Sequence, residues 1–181
     1  MTDPSRADGY RLALAAPSEA EAMFALMREV WAGLADKDVF AVGEMPIDFF
    51  TSCLNGGGFG VTARTEAGEL AGMLIVCYPG LTPENLGYDI GLTEEELPRV
   101  CNMDTACVAP AHRGHRLERR MLLFAEEALA GTPYRHLMCT ISPHNTPSLR
   151  SAEALGYRVA ATKEKYGGFL RHVLIKEREG V

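Results

Sequence analysis

Residues 107–128 read C-V-A-P-A-H-R-G-H-R-L-E-R-R-M-L-L-F-A-E-E-A, and the rest of the chain is organised around them. An apolar run ends at Val108 and Pro110, and a short polar turn follows from Ala111 to His115. Leu117, Met121, Phe124, Ala125 and Ala128 then recur at the spacing of one helical face. The stretch is strand, turn, helix. Arg113, Gly114, His115 and Arg116 fall where the helix should begin. A helix start presents unpaired backbone N–H groups and the positive end of the dipole, which suit a phosphate or pyrophosphate. Glycine at 114 opens backbone conformations closed to other residues and lets an anion come close. The turn also reads as an ordinary connection with basic residues for solubility, and one Gly among arginines does not separate the two readings.

Composition narrows the classes. A chain of 181 residues suits a single domain over 1–181 with a sizeable core. A hydrophobic fraction of 47% with 23% charged residues is that of a soluble globular protein. The net charge of -6 argues against a nucleic-acid partner and against an anionic membrane surface. No apolar run reaches the length of a membrane span, and the first residues lack the apolar core of a signal peptide, so the expected location is cytoplasmic. Five cysteines without an export signal read as reduced thiols filling the core. A zinc site from Cys101, Cys107, His112 and His115 matches no common spacing, and no metal is expected.

Taken in order, residues 1–9 are polar and expected to fray. Tyr10 to Ala15 alternates as a strand. Ser18 and Glu21 are spaced as a capping box for a helix whose apolar face is Met23, Leu26, Met27, Val30 and Trp31. A loop follows to Glu44, and a shorter helix begins at Pro46 with Ile47, Phe49, Phe50 and Leu54. Two strands, Phe59 to Thr65 and Leu70 to Tyr78, read as a hairpin. The irregular segment from Pro79 to Arg99 holds Glu84, Asp89, Glu94, Glu95 and Glu96. It reads either as a solvated acidic face or as a lid that attracts a cationic amine. Val100 to Val108 leads into the central turn, and His136 to Ile141 is a further strand. Thr146 and Pro147 open a helix that stops at Gly156. Tyr157 to Tyr166 and Phe169 to Lys176 are strands joined by Gly167-Gly168, a two-residue hairpin signal. With no repeat or linker, the order implies an α+β fold with helices on both faces of a central sheet.

The pattern V-x-P-x-x-R-G-x-x-L resembles motif A of the GNAT superfamily, the acyl-CoA-dependent N-acyltransferases. P-H-N-T-P-S-L-R-S-A-E-A-L-G-Y resembles its motif B through Asn145, Ser148, Gly156 and Tyr157. The two come in the family order with one strand between. The resemblance implies a three-layer fold with a mixed, mostly antiparallel sheet and a splayed strand pair. It also implies acetyl-CoA as co-substrate. On the chain, cofactor contacts would be Cys107, Val108, Arg113, Gly114, His115, Arg116, Leu117 and Glu118, with Asn145 and Ser148 along the pantetheine arm. Two positions depart from the pattern. Arg116 stands where the family has glycine, and Glu118 where it has a small residue.

Acetyl transfer to an amine needs a base, a donor to the developing oxyanion, a proton for the leaving thiolate, and alignment of the two substrates. The resemblance implies a backbone N–H at Val108 or its neighbour for the oxyanion and Asp104 as base. Asp104 reads equally as a strand residue satisfied by neighbouring donors. The family's acid, a Tyr four residues before the closing Gly of motif B, is Ala152 here, which leaves the acid unassigned. The expectation is an N-acetyltransferase acting on a primary amine of a small molecule by direct ternary-complex attack. Its rivals are an acetyltransferase of a protein amine, a catalytically degenerate CoA-binding regulatory protein, and a scaffold without cofactor. Homodimers are common in the family.

Overall fold

A computed structural model describes residues 6–7 and 9–179. The elements are β1 Arg6–Ala7, β2 Tyr10–Leu14, α1 Ala20–Ala32, α2 Ile47–Ser52, β3 Gly58–Thr65 and β4 Leu70–Cys77, then β5 Val100–Val108, α3 Leu117–Ala128, β6 His136–Ile141, α4 Thr146–Glu153, β7 Arg158–Lys165 and β8 Phe169–Glu177. The strands form one sheet in the order β1-β2-β3-β4-β5-β6-β8-β7. Every neighbouring pair is antiparallel except β5 with β6. This is the α+β architecture that the hairpins and amphipathic helices imply.

Strand β4 is buried on both faces, which is why it is an unbroken apolar run. On one face Met23 and Met27 of α1 and Phe50 of α2 pack with Met73, Ile75 and Cys77. On the other, Leu117, Met121 and Ala125 of α3 and Ala152 of α4 pack with Leu74, Val76 and Leu137. Each fully buried Leu, Met or Phe contributes roughly 1.5–3 kcal/mol of transfer free energy. The two helical layers therefore hold the sheet from both sides, and the site opens where that sheet splits.

The split lies between β5 and β6. Their ladder runs from Val100 with His136 to Asn102 with Met138 and no further, although both strands continue. The strands diverge beyond it. At the same level β5 bulges: Met103 pairs with Val76 and Thr105 with Ile75, so Asp104 has no partner across the ladder. The bulge reverses the alternation. Met103, Ala106 and Val108 pack on the α3 side, whereas Thr105 reaches Met45 on the α1–α2 side. Simple strand alternation predicts residues 104, 106 and 108 on one face, and the extra residue breaks that rule. Cys101 and Cys107 likewise join opposite cores, so they cannot share one metal ion.

Four boundaries differ from the sequence reading. Arg6–Ala7 pairs with Tyr10 and Arg11 where a frayed terminus was expected; residues 1–5 and 8 lie outside the described residues. A short 3-10 turn, Pro17–Glu19, precedes α1, and its cap is Glu19 accepting from the Ala16 N–H at 2.8 Å. Ser18 and Glu21 make no such box, because Pro17 already opens the turn one residue earlier. The cap of α4 is Asn145, whose Oδ1 accepts from the Ser148 N–H at 3.3 Å, so Thr146 is the first helical residue. The β7–β8 loop has three residues, because Lys165 pairs with Phe169 and Tyr166 joins both glycines at positive φ.

Candidate active site

A cavity of about 700 Å³ opens at the β5–β6 split. Its walls come from the α1–α2 loop, the 79–99 segment, the starts of α3 and α4, and the β7–β8 hairpin. Asp104 lies in its interior. The Asp104 side chain is open to the cavity yet ringed by protein, and this enclosure raises its carboxyl above the usual carboxylate range. A hydrogen bond from Thr105 Oγ1 to Asp104 Oδ1, 2.7 Å, opposes the rise. No ion pair neutralises Asp104 among the described residues. A carboxylate with a raised value is a stronger base than an ordinary carboxylate.

The turn before α3 is open and its helix start is uncapped. Gly114 has φ +87° and open space where a side chain would stand. Arg116 is the N-cap residue at φ 56°, ψ 27°, the left-handed conformation that glycine adopts without strain. No side chain caps the helix start. Arg113, His115 and Arg116 are exposed around it. Leu117 is buried in the core beneath, and Cys107 turns its thiol into the α1–α2 core. His112 is tied structurally: Tyr10 Oη lies 3.0 Å from its Nδ1 and Glu69 lies 3.1 Å from its Nε2.

Glu118 turns into the cavity, beside Leu122, Cys139, Ser148 and Ala152. Burial holds its carboxyl above the usual range, against a hydrogen bond from Ser148. Ser148 and Asn145 line the same cavity. The structure thus brings Asp104, Glu118, Asn145 and Ser148 to one space, and keeps Arg113 to Arg116 on the adjoining outer turn.

Three features of the site carry little sequence signal. The first is a tie across the cavity wall. Arg171 of β8, 3% exposed, donates to Asp38 of the α1–α2 loop, Nη1 to Oδ1 3.4 Å. Ser142 Oγ donates to Asp38 Oδ2 at 3.0 Å, and Asn145 Nδ2 to the Val39 carbonyl at 3.3 Å. The second is Tyr166, whose φ of 54° is strained for a side chain of its size. Its hydroxyl lies 2.9 Å from Thr140 Oγ1. Burial raises the phenol to about 12, against the Thr140 bond, with the charges of Asp104 and Asp89 adding to the rise. The third is the 79–99 segment, which is a built wall. Asn85 donates to the carbonyls of Gly80 and Leu97 and accepts from the Gly87 N–H. Asp89 is held by Lys163 at 2.9 Å and by Lys165. Glu84 and Asp89 line the cavity, while Glu94, Glu95 and Glu96 do not. Glu96 accepts from the Thr93 N–H at 3.0 Å, a capping contact that closes a turn without starting an α-helix, because Pro98 follows.

A model of the acetyltransferase (GNAT) family matches residues 33–157. The chain belongs to this family of acyl-CoA-dependent N-acetyltransferases. No curated protein matches the sequence. Solved structures share the fold across nearly the whole chain. A GNAT-family acetyltransferase of Listeria monocytogenes is 20% identical with a TM-score of 0.66, over 93% of this chain and 95% of that one. The acetyltransferase yncA of Salmonella typhimurium, solved with its cofactor acetyl-CoA, is 15% identical with a TM-score of 0.68, over 96% and 97%. A ribosomal-protein-S5-alanine acetyltransferase of Vibrio fischeri is 14% identical with a TM-score of 0.65, over 95% and 94%. Among the described residues no helix is long and apolar enough to cross a membrane.

Proposed function

We propose that this chain transfers the acetyl group of acetyl-CoA to the primary amine of a small molecule, within one ternary complex. The observation that carries the reading is a cavity at the β5–β6 split that is lined both by Asp104 and by Glu118 at the start of α3. The residues present fit the cofactor's phosphates at that start: Gly114 leaves open space, the helix end is uncapped, and Arg113, His115 and Arg116 surround it. Asn145 and Ser148 line the path from there inward. Glu118 fits less well, as an acid beside an anion, and its raised carboxyl lessens the conflict by favouring the neutral form.

Acetyl-CoA supplies the acyl group as a thioester. Asp104 accepts the proton that the amine must lose, directly or through a water. A backbone N–H of β5, at Val108 or its neighbour, faces the negative charge that develops on the carbonyl oxygen. The amine nitrogen forms a bond to the acyl carbon, the C–S bond breaks, and the thiolate takes its proton from solvent, since Ala152 offers none.

The wall contacts support a small acceptor over a protein one. Asp38 and Val39 are tied to Ser142, Asn145 and Arg171, so the α1–α2 loop is fixed against the β6–α4 loop and β8 and narrows the room for a polypeptide. Calorimetry with acetyl-CoA tests the reading, on the wild type and on Gly114→Trp. Micromolar binding that the substitution abolishes, followed by thiol release with a small amine, is the expected result. Binding without turnover on any amine would leave a CoA-binding regulatory protein. No binding at millimolar cofactor would overturn the reading.

A further inference from the structure

Resting on the acetyltransferase reading above, we propose that the acceptor is a compact primary amine with an apolar, ring-bearing body and no carboxylate or phosphate, and that Asp38 enforces the exclusion by occupying Arg171.

The argument starts from the charges on the cavity wall. Five carboxylates line the cavity, Glu84, Asp89, Asp104, Glu118 and Glu164, against two cations, Lys165 and Arg171. Neither cation is free. Lys165 is bonded to Asp89. Arg171 is bonded to Asp38 and to the carbonyls of Asp38 and Leu170. An acceptor carboxylate or phosphate entering this space would be desolvated beside acids, and both cations that line it among the described residues are already paired.

An ammonium meets the opposite situation. Glu84 and Glu164 are exposed at the rim and draw cations toward the opening. Asp104 faces the cavity with no salt-bridge partner among the described residues. The wall on the α1–α2 side is apolar, made by Val39, Phe40, Val42, Met45 and Phe49. Tyr166 presents a ring from the opposite side, and its hydroxyl is already engaged with Thr140. Such walls reward a flat or branched hydrocarbon body over a chain of hydroxyls. Phe40 and Phe49 offer the second ammonium of a polyamine no carboxylate.

The test measures kcat/KM with acetyl-CoA for phenethylamine, phenylalanine, spermidine and glucosamine. Phenethylamine and phenylalanine differ by the carboxylate alone. Phenethylamine should exceed phenylalanine by at least about 100-fold, the scale at which a buried group left without a partner discriminates, and should also exceed spermidine and glucosamine. Equal or reversed ratios would overturn the proposal. Asp38→Asn, which frees Arg171 of its ion pair, should raise phenylalanine relative to phenethylamine by about tenfold or more; an unchanged ratio in a folded variant would remove Asp38 from the argument. The two levels fail differently. Acetyl-CoA binding with no turnover of phenethylamine overturns the acceptor class and spares the cofactor reading, whereas no acetyl-CoA binding overturns both.

Discussion

Arg171 and Asp38 lie 133 residues apart in sequence, and the arginine Nη1 stands 3.4 Å from the aspartate Oδ1 in the wall of the cavity. The arginine is 3% exposed on its side chain and the aspartate 30%, so the pair is half shielded from water. Removing the arginine leaves the carboxylate without its cation. A fully buried pair loses roughly 3–5 kcal/mol in this way, and the partial exposure of Asp38 lowers the expectation for Arg171→Met to about 2–3 kcal/mol. Urea unfolding reads it. A loss within error of zero would mean that the tie does not hold the α1–α2 loop.

Asp104→Asn should lower kcat/KM by about 100-fold or more, the usual contribution of a positioned base. The wild-type profile should rise with pH, because the carboxylate form is the active one. Burial places Asp104 above the ordinary carboxylate range, so the limb should sit above that range as well. The limb should vanish in Asp104→Asn. A limb that persists unchanged would assign the proton transfer to another group.

With the cofactor's phosphates at the α3 start, as proposed, Glu118 should make acetyl-CoA affinity depend on pH. Its carboxyl is raised by burial against the Ser148 bond. As pH rises through that raised value the group becomes an anion and opposes the phosphates at the α3 start. Acetyl-CoA should therefore bind more weakly above the transition by roughly three- to tenfold, the scale of one charge at several ångströms in a partly shielded site. Glu118→Ala should bind more tightly and with little dependence on pH. Weaker binding by the variant would show that Glu118 serves the cofactor as a hydrogen-bond donor.

At Arg116 the left-handed backbone costs a residue with a side chain roughly 1–2 kcal/mol. Glycine returns about 0.4–1 kcal/mol of that through a freer unfolded chain. Arg116→Gly should therefore raise stability by up to about 1 kcal/mol, a shift of roughly 2–4 °C in the thermal midpoint. Acetyl-CoA affinity should fall, since a cation leaves the anion turn. A lower midpoint would show that the arginine side chain holds the turn.

Asp89 fixes the 79–99 wall to β7. Burial would raise its carboxyl, but bonds from Lys165 and Lys163 outweigh burial and lower it. A folded-state value below the unfolded one contributes stability that is present above the unfolded pKa and lost as pH falls through the folded one. Asp89→Asn should cost about 1–2 kcal/mol at neutral pH, and the difference from wild type should disappear in acid. A deficit that stays constant with pH would point to packing instead of charge.

Much of this protein is written locally. The strand–turn–helix from Cys107 to Ala128, the two hairpins and the strand His136–Ile141 follow from periodicities and turn residues that act within a few positions. Gly114 stands out locally as the glycine before a helix start, whereas Asp104, Asn145 and Ser148 are singled out through the resemblance to the family's motifs. What the tertiary structure decided depends on which strands become neighbours. Asp38 meets Arg171 because β8 is inserted between β6 and β7, an order no local pattern encodes. The bulge that isolates Asp104 arises in its pairing with β4, so alternation along β5 alone gave the wrong faces. Glu118 points inward because α3 lies against the split between β5 and β6, and Tyr166 joins the cavity because its loop holds three residues at positive φ. Short-range rules fix the backbone of each element. The charge and shape of the cavity come from side chains brought together by long-range pairing.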